Sequence, residues 1–117
     1  MELTLGSTNY LLISVPRDDG FVAYAQQADT NERFGIETAG ATADEAESRL
    51  ARWLEWQHDH TQALEALQQA ERQYHRALAG AAFASSADAA EGERASLESV
   101  NAARLHLDEV RARRPNV

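Results

Sequence analysis

Gly40-Ala41-Thr42-Ala43-Asp44-Glu45-Ala46 is the stretch that decides the fold of this chain. Thr42 through Glu45 read as a capping box: a threonine at the N-cap with a glutamate three residues on satisfies two orphan backbone donors reciprocally. After it neither glycine nor proline occurs until Gly80. One very long helix is therefore predicted, over residues 43–79 and bounded by 42–80. At ~1.5 Å per residue it measures about 55 Å, whereas a compact globule of this chain length is about 35 Å across. A helix that tall requires an elongated molecule, a partner along its outer half, or a break. Gln57-His58-Asp59-His60-Thr61-Gln62, which holds no apolar residue, is where a break would fall.

Upstream, residues 1–40 read as a small antiparallel sheet. Tyr10-Leu11-Leu12-Ile13-Ser14-Val15 is rich in β-branched and aromatic residues, with Leu11, Ile13 and Val15 on one face and Tyr10, Leu12 and Ser14 on the other. Pro16-Arg17-Asp18-Asp19-Gly20 is a turn, in which proline fixes φ and Asp-Gly supplies a positive φ. Phe21 to Ala25 returns as a strand, Phe21, Ala23 and Ala25 facing opposite to Val22 and Tyr24. Ala28 to Glu32 turns again, and Arg33 to Thr38 makes a further strand weakened by Gly35. Glu2 to Leu5 adds a fourth through Gly6-Ser7-Thr8. The sheet needs a cover on one face. Ala46, Leu50, Trp53 and Leu54 recur at helical spacing and supply it, with Trp56 broadening the stripe or standing at its edge as an anchor for a partner.

Downstream of the polar segment Leu64, Leu67, Tyr74 and Leu78 follow a 3-4 repeat, interrupted by Glu71 and flanked by Ala63, Ala70 and Ala77. Gly80 begins a stop. A second helix, bounded by 86–114, starts after Ser85 or Ser86, with Gly92 delaying its regular part to about Glu93. Leu97, Val100, Leu107 and Val110 form its stripe, and Pro115 ends it. The fold class is thus α+β: a three- or four-stranded antiparallel sheet packed on a long helix that continues into a C-terminal antiparallel helical hairpin, all in one domain, 1–117. A thin two-helix seam buries little, and a second copy would roughly double the burial. A homodimer through Leu64, Leu67, Tyr74, Leu78, Leu97, Val100, Leu107 and Val110 is the expectation.

Composition narrows the chemistry. The 117 residues are 44% hydrophobic and 26% charged, as in a soluble globular protein. There is no cysteine, which removes disulfides, thiolate nucleophiles and cysteine metal sites. The longest apolar run, Tyr10 to Ile13, cannot span a bilayer, and no basic flank leads into an apolar leader, so cytoplasm is the expected compartment and no membrane is involved. All eleven Lys+Arg residues are arginine, which together with the heavy use of alanine reads as the bias of a GC-rich bacterial genome. Net charge is −8, and it is uneven: residues 1–48 carry nine acids against Arg17 and Arg33, while the rest is near balance. Such a field repels nucleic acid and favours a basic protein surface.

No catalytic constellation stands out. His58 and His60, two apart on a helix, point about 200° from each other and cannot share an ion; neither has a ligand four residues away. Asp18 and Asp19 are turn residues. The six glycines (6, 20, 35, 40, 80 and 92) form no phosphate loop, and Arg111, Arg113 and Arg114 suit the negative end of a helix. No enzyme, no metal and no cofactor are expected.

Leu11 to Val15, then Asp18-Asp19-Gly20-Phe21-Val22-Ala23-Tyr24, then Gly40-Ala41-Thr42-Ala43-Asp44-Glu45-Ala46 running into a helix, resemble the HicB-like antitoxin domain over residues 9–56. The segment Gln26 to Arg33 departs from that family's proline-containing pattern, and a helical hairpin stands where the family carries a DNA-binding segment. The resemblance implies an acidic binder of a small basic, RNA-targeting toxin, without direct nucleic-acid contact. Two functions are expected on this footing. One is a non-enzymatic, antitoxin- or immunity-like protein-binding module that engages a basic partner through Glu2, Asp18, Asp19, Asp29, Glu32, Glu37 and Trp56. The alternative is a structural or assembly protein that homodimerises through its hairpin.

Overall fold

A computed structural model describes residues 1–83 and 87–117. Four strands, β1 (Glu2–Leu5), β2 (Thr8–Arg17), β3 (Gly20–Gln27) and β4 (Arg33–Gly40), are followed by α1 (Ala43–Phe83) and α2 (Ala87–Ala112). The fold is α+β. The strands form an antiparallel meander in the order β1-β2-β3-β4. The chain divides into two compact units, Met1–His58 with Arg114–Val117, and Asp59–Arg113.

In the first unit β2 runs two residues further than its sequence suggests. Pro16 pairs with Phe21 and Arg17 with Gly20, leaving only Asp18 and Asp19 in the turn. The ladder tolerates Pro16 because the pairing on the other side of β2, from Met1 and β1, reaches no further than Leu12. Beyond that point β2 has a free edge, and a missing N–H costs no ladder bond. The positive φ sits at Asp18 (52°) rather than at the glycine, a conformation that aspartate tolerates better than most residues. β4 contains a bulge: the register with β3 shifts between Ala23 and Ala25, and Gly35 there has φ 81°.

One face of the sheet is covered by the first turns of α1. Tyr10, Leu12, Ala23 and Ala25 from the strands and Ala46, Leu50, Trp53 and Leu54 from the helix form the core. The helical contributors fall at i, i+4, i+7 and i+8, the stripe of an amphipathic helix. Alanines at the centre of both layers (Ala23 and Ala46, each 0% exposed) let backbone approach backbone closely. Thr38, the one buried polar residue among those described, donates to the Ala46 carbonyl at 2.7 Å. Arg49 reaches the Ala39 carbonyl at 2.8 Å and pairs with Glu45 at 2.8 Å, tying the helix start to the end of β4.

The cap is built as the sequence indicates, with one change of partner. Glu45 N–H donates to Thr42 Oγ1 at 3.1 Å, whereas the Glu45 carboxylate accepts from the Ala41 N–H at 3.2 Å rather than from Thr42. Thr42→Ala is expected to cost about 1 kcal/mol and Thr42→Asp close to nothing, as read by urea denaturation.

α1 is one helix through Gln57–Gln62 and past Gly80 to Phe83. The break is absent, Gly80 does not act as a stop, and Gly92 does not delay the second helix to Glu93, since α2 already runs from Ala87 through Gly92. An exposed helical glycine costs only about 1 kcal/mol relative to alanine; ending a helix takes a left-handed residue as well, and neither glycine has a positive φ. Ser85 and Ser86, read above as the start of the second helix, lie outside the described residues.

The second unit is an antiparallel hairpin whose ends meet where Arg111 Nε lies 3.4 Å from His60 Nε2. Its seam differs from the expected leucine stripe. The covered residues of α1 are Ala63, Leu67 and Ala70, continuing through half-buried Tyr74, Ala77 and Ala81. Those of α2 are Val100, Leu107 and Val110, with half-buried Ala89, Glu93, Ser96 and Ala103. Both sets follow an unbroken heptad alternation of three and four. Leu64, Leu78 and Leu97 fall beside the seam: Leu64 is half-buried, and Leu78 and Leu97 are 37% and 42% exposed. The covered stripe of α1 is mostly alanine, and small side chains at a seam do not reach far enough out to bring the flanking leucines under cover.

Candidate functional site: the open face of the sheet

Alternation along the strands leaves a second apolar surface, opposite to the one α1 covers. β2 presents Leu11, Ile13 and Val15 there, and β3 presents Val22 and Tyr24. Their register places Val15 beside Val22, Val22 beside Ala39, and Ile13 beside Tyr24. None of the five large residues is buried; each is covered only in part, by its neighbours. An antiparallel strand with one solvated face ordinarily alternates apolar and polar. β2 is apolar on both faces, which suits a strand covered on both sides.

Charged groups frame this surface. Glu37 on β4 lies between two arginines, with Arg17 at 3.4 Å and Arg33 at 3.3 Å. The Arg33 guanidinium also stacks 4.0 Å over the Tyr24 ring, so the half-buried aromatic of the patch is held in place. Glu2 pairs in register with Leu11 at the β1 edge. Asp18 and Asp19 occupy the turn at one end of the strands; Asp29 and Glu32 flank the turn at the other, where Asn31 has φ 59°. All six acids are exposed.

The structure therefore does not gather Glu2, Asp18, Asp19, Asp29, Glu32 and Glu37 into one cluster. It distributes them around the margin of an apolar centre. Trp56 stands elsewhere. It lies on α1 against the covered core, with the Arg114 guanidinium 5.5 Å over its ring. Leu67, Val100, Leu107 and Val110, expected to join two copies, are consumed within the hairpin. Among the described residues no three His, Asp or Glu side chains converge to hold a metal ion, and no helix is long and apolar enough to cross a membrane. What sequence reasoning left unassigned is the centre of the surface: Leu11, Ile13, Val15, Val22 and Tyr24. The signal was present in β2, whose two alternating sets are both apolar.

Fold and surface together define a small α+β chain with a sheet apolar on both sides and covered by its own helix on one. Compared with family models, with curated proteins and with solved structures, the chain matches none.

Proposed function

We propose that this chain is a non-enzymatic protein-binding module of the antitoxin or immunity type, and that a small basic protein docks on the open face of its sheet. The observation that carries the reading is the uncovered patch of Leu11, Ile13, Val15, Val22 and Tyr24 inside a margin of six acids and two arginines. The apolar centre supplies contact area. The acids select the sign of the partner, and Arg17 and Arg33 are already neutralised in part by Glu37. Like charge at such a rim repels acidic proteins and nucleic acid, while opposite charge raises the association rate. The resemblance of residues 9–56 to HicB-like antitoxins supports the same class of partner.

The test is to look for a gene for a small basic protein beside this one and to titrate the purified chain with its product by calorimetry. Binding is expected, weakening as salt rises because the rim is exposed. Ile13→Glu sits at the centre of the patch and is expected to lose at least about 2 kcal/mol, roughly thirtyfold in affinity. Asp18→Asn with Asp19→Asn should slow association and flatten the salt dependence. Equal binding by wild type and Ile13→Glu, or no interaction with a basic neighbour, would rule the reading out.

A further inference from the structure

The hairpin has two flanks beside its seam, and they are chemically unlike. Taking the covered residues as heptad positions a and d, Leu64, Glu71 and Leu78 occupy successive e positions of α1, and Ala90, Leu97, Arg104 and Arg111 occupy those of α2. The g positions hold only small or polar residues, from Asp59 and Ala66 to His106 and Arg113, which line a shallow groove. In an antiparallel pair e lies beside e and g beside g. Every leucine that flanks the seam therefore falls on one side of the hairpin. Leu105 is the exception to this grouping: at 61% exposure it points away from both flanks, at an f position.

We infer that the e flank is where a second copy of this chain docks, giving four helices around a shared apolar layer. Three observations select a second copy as the occupant. The first is area. Over the 26 residues of α2 the hairpin is about 39 Å long, and two helices each about 10 Å wide present on the order of 800 Å², the share that one partner contributes to a standard stable interface. The second is charge. Beside the leucines of the flank stand one acid, Glu71, which is half-buried, and two arginines, Arg104 and Arg111, of which Arg111 reaches His60 within its own hairpin. Neither Glu71 nor Arg104 forms an ion pair among the described residues. A two-fold interface is self-complementary, so whatever residue i meets, its counterpart meets in return; Glu71 of each copy can be answered by Arg104 of the other, two pairs in the dimer. The third is the seam itself. Ala63, Ala70, Ala77 and Ser96 bury little area, so the hairpin gains more from an added layer than a leucine-filled one would. This inference is independent of the partner proposed for the sheet.

Sedimentation equilibrium of the full chain between about 1 and 100 μM tests it. The expected mass is twice that of the monomer. Leu78→Glu with Leu97→Glu should give a monomer of unchanged helicity by circular dichroism, whereas Leu105→Glu should remain dimeric. Should the double leucine variant lose helicity, the charge pair decides: Glu71→Arg alone is expected to weaken the dimer about tenfold, and adding Arg104→Glu to restore it. A wild-type chain that stays monomeric at 100 μM overturns the inference. So does a dimer indifferent to Glu71→Arg and Leu97→Glu, or one dissolved by Ile13→Glu, which would put the contact on the sheet.

Discussion

Gly35→Ala is expected to remove about 2–6 kcal/mol from the sheet-bearing unit. Two costs combine. Gly35 has φ 81° at the β4 bulge, and holding an L-residue in a sparsely populated backbone region costs of order 1–3 kcal/mol. A methyl group there would also sit 2.6 Å from Cζ3 of Trp53 and 3.3 Å from its Cη2. Trp53 is 7% exposed, and its ring belongs to the core, so relief requires moving a packed side chain, typically another 1–3 kcal/mol. Against a total of about 5–15 kcal/mol for a domain, such a loss is large. Both tryptophans, Trp53 and Trp56, lie in the unit concerned, so urea unfolding followed by tryptophan emission reads it directly. The mechanism makes a second demand. Trp53→Phe withdraws the ring edge that fills the place of the missing side chain. It also removes an indole N–H that is buried with no hydrogen-bond partner among the described residues. In that background Gly35→Ala should keep the backbone cost and lose most of the steric one. A penalty below about 1 kcal/mol in the parent, or one unchanged by Trp53→Phe, would show that the tryptophan does not dictate the glycine.

Much of this arrangement is legible in the residues, and the parts that are not have identifiable causes. Alternation in β2 and β3 tells which side chains share a face, because the period of a strand is fixed by its geometry. The capping box at Thr42 and the spacing of Ala46, Leu50, Trp53 and Leu54 likewise follow from local rules. Gly35 reads only as a weak point in a strand. That it makes room for a tryptophan eighteen positions on is a tertiary fact, and no local pattern carries it. Pro16 looks like a turn residue because the early end of β1, which frees the edge of β2, is not visible from Pro16. Gly80 looks like a stop and Gly92 like a delayed start because glycine is a poor helix former, yet a modest propensity cost yields when the seam continues on both sides. The hairpin misleads for a related reason. Leucine marks the most hydrophobic stripe, but the covered stripe is the one that keeps the heptad alternation on both helices, and on α1 that stripe is mostly alanine. The candidate site shows the same division. The acids were conspicuous by their number, whereas the apolar centre they surround emerges only when β2 and β3 are laid side by side.

Leu12→Ala is expected to cost about 3–4 kcal/mol, and Ile13→Ala, one residue on, about 1 kcal/mol or less. Leu12 is 2% exposed and belongs to the core between sheet and helix; its truncation leaves a cavity as well as losing transfer energy, and buried leucines lose about 2.7–5 kcal/mol on truncation. Ile13 faces the other way, beside Tyr24, on the surface that α1 does not cover. Its side chain is already partly in water, so only a fraction of the roughly 1.5–3 kcal/mol available from full burial is at stake. Chemical denaturation of the two variants measures the contrast, and equal losses would mean that the outer face is as well covered as the inner one. The asymmetry bears on function as well as on stability. Apolar side chains that add little to folding, grouped on one face and held in register by a β-sheet, have their remaining burial energy available to a partner. If Ile13→Ala leaves the fold intact while Ile13→Glu abolishes partner binding, the energy of the outer face is spent in association, and β2 serves the fold through its even-numbered residues and recognition through its odd-numbered ones.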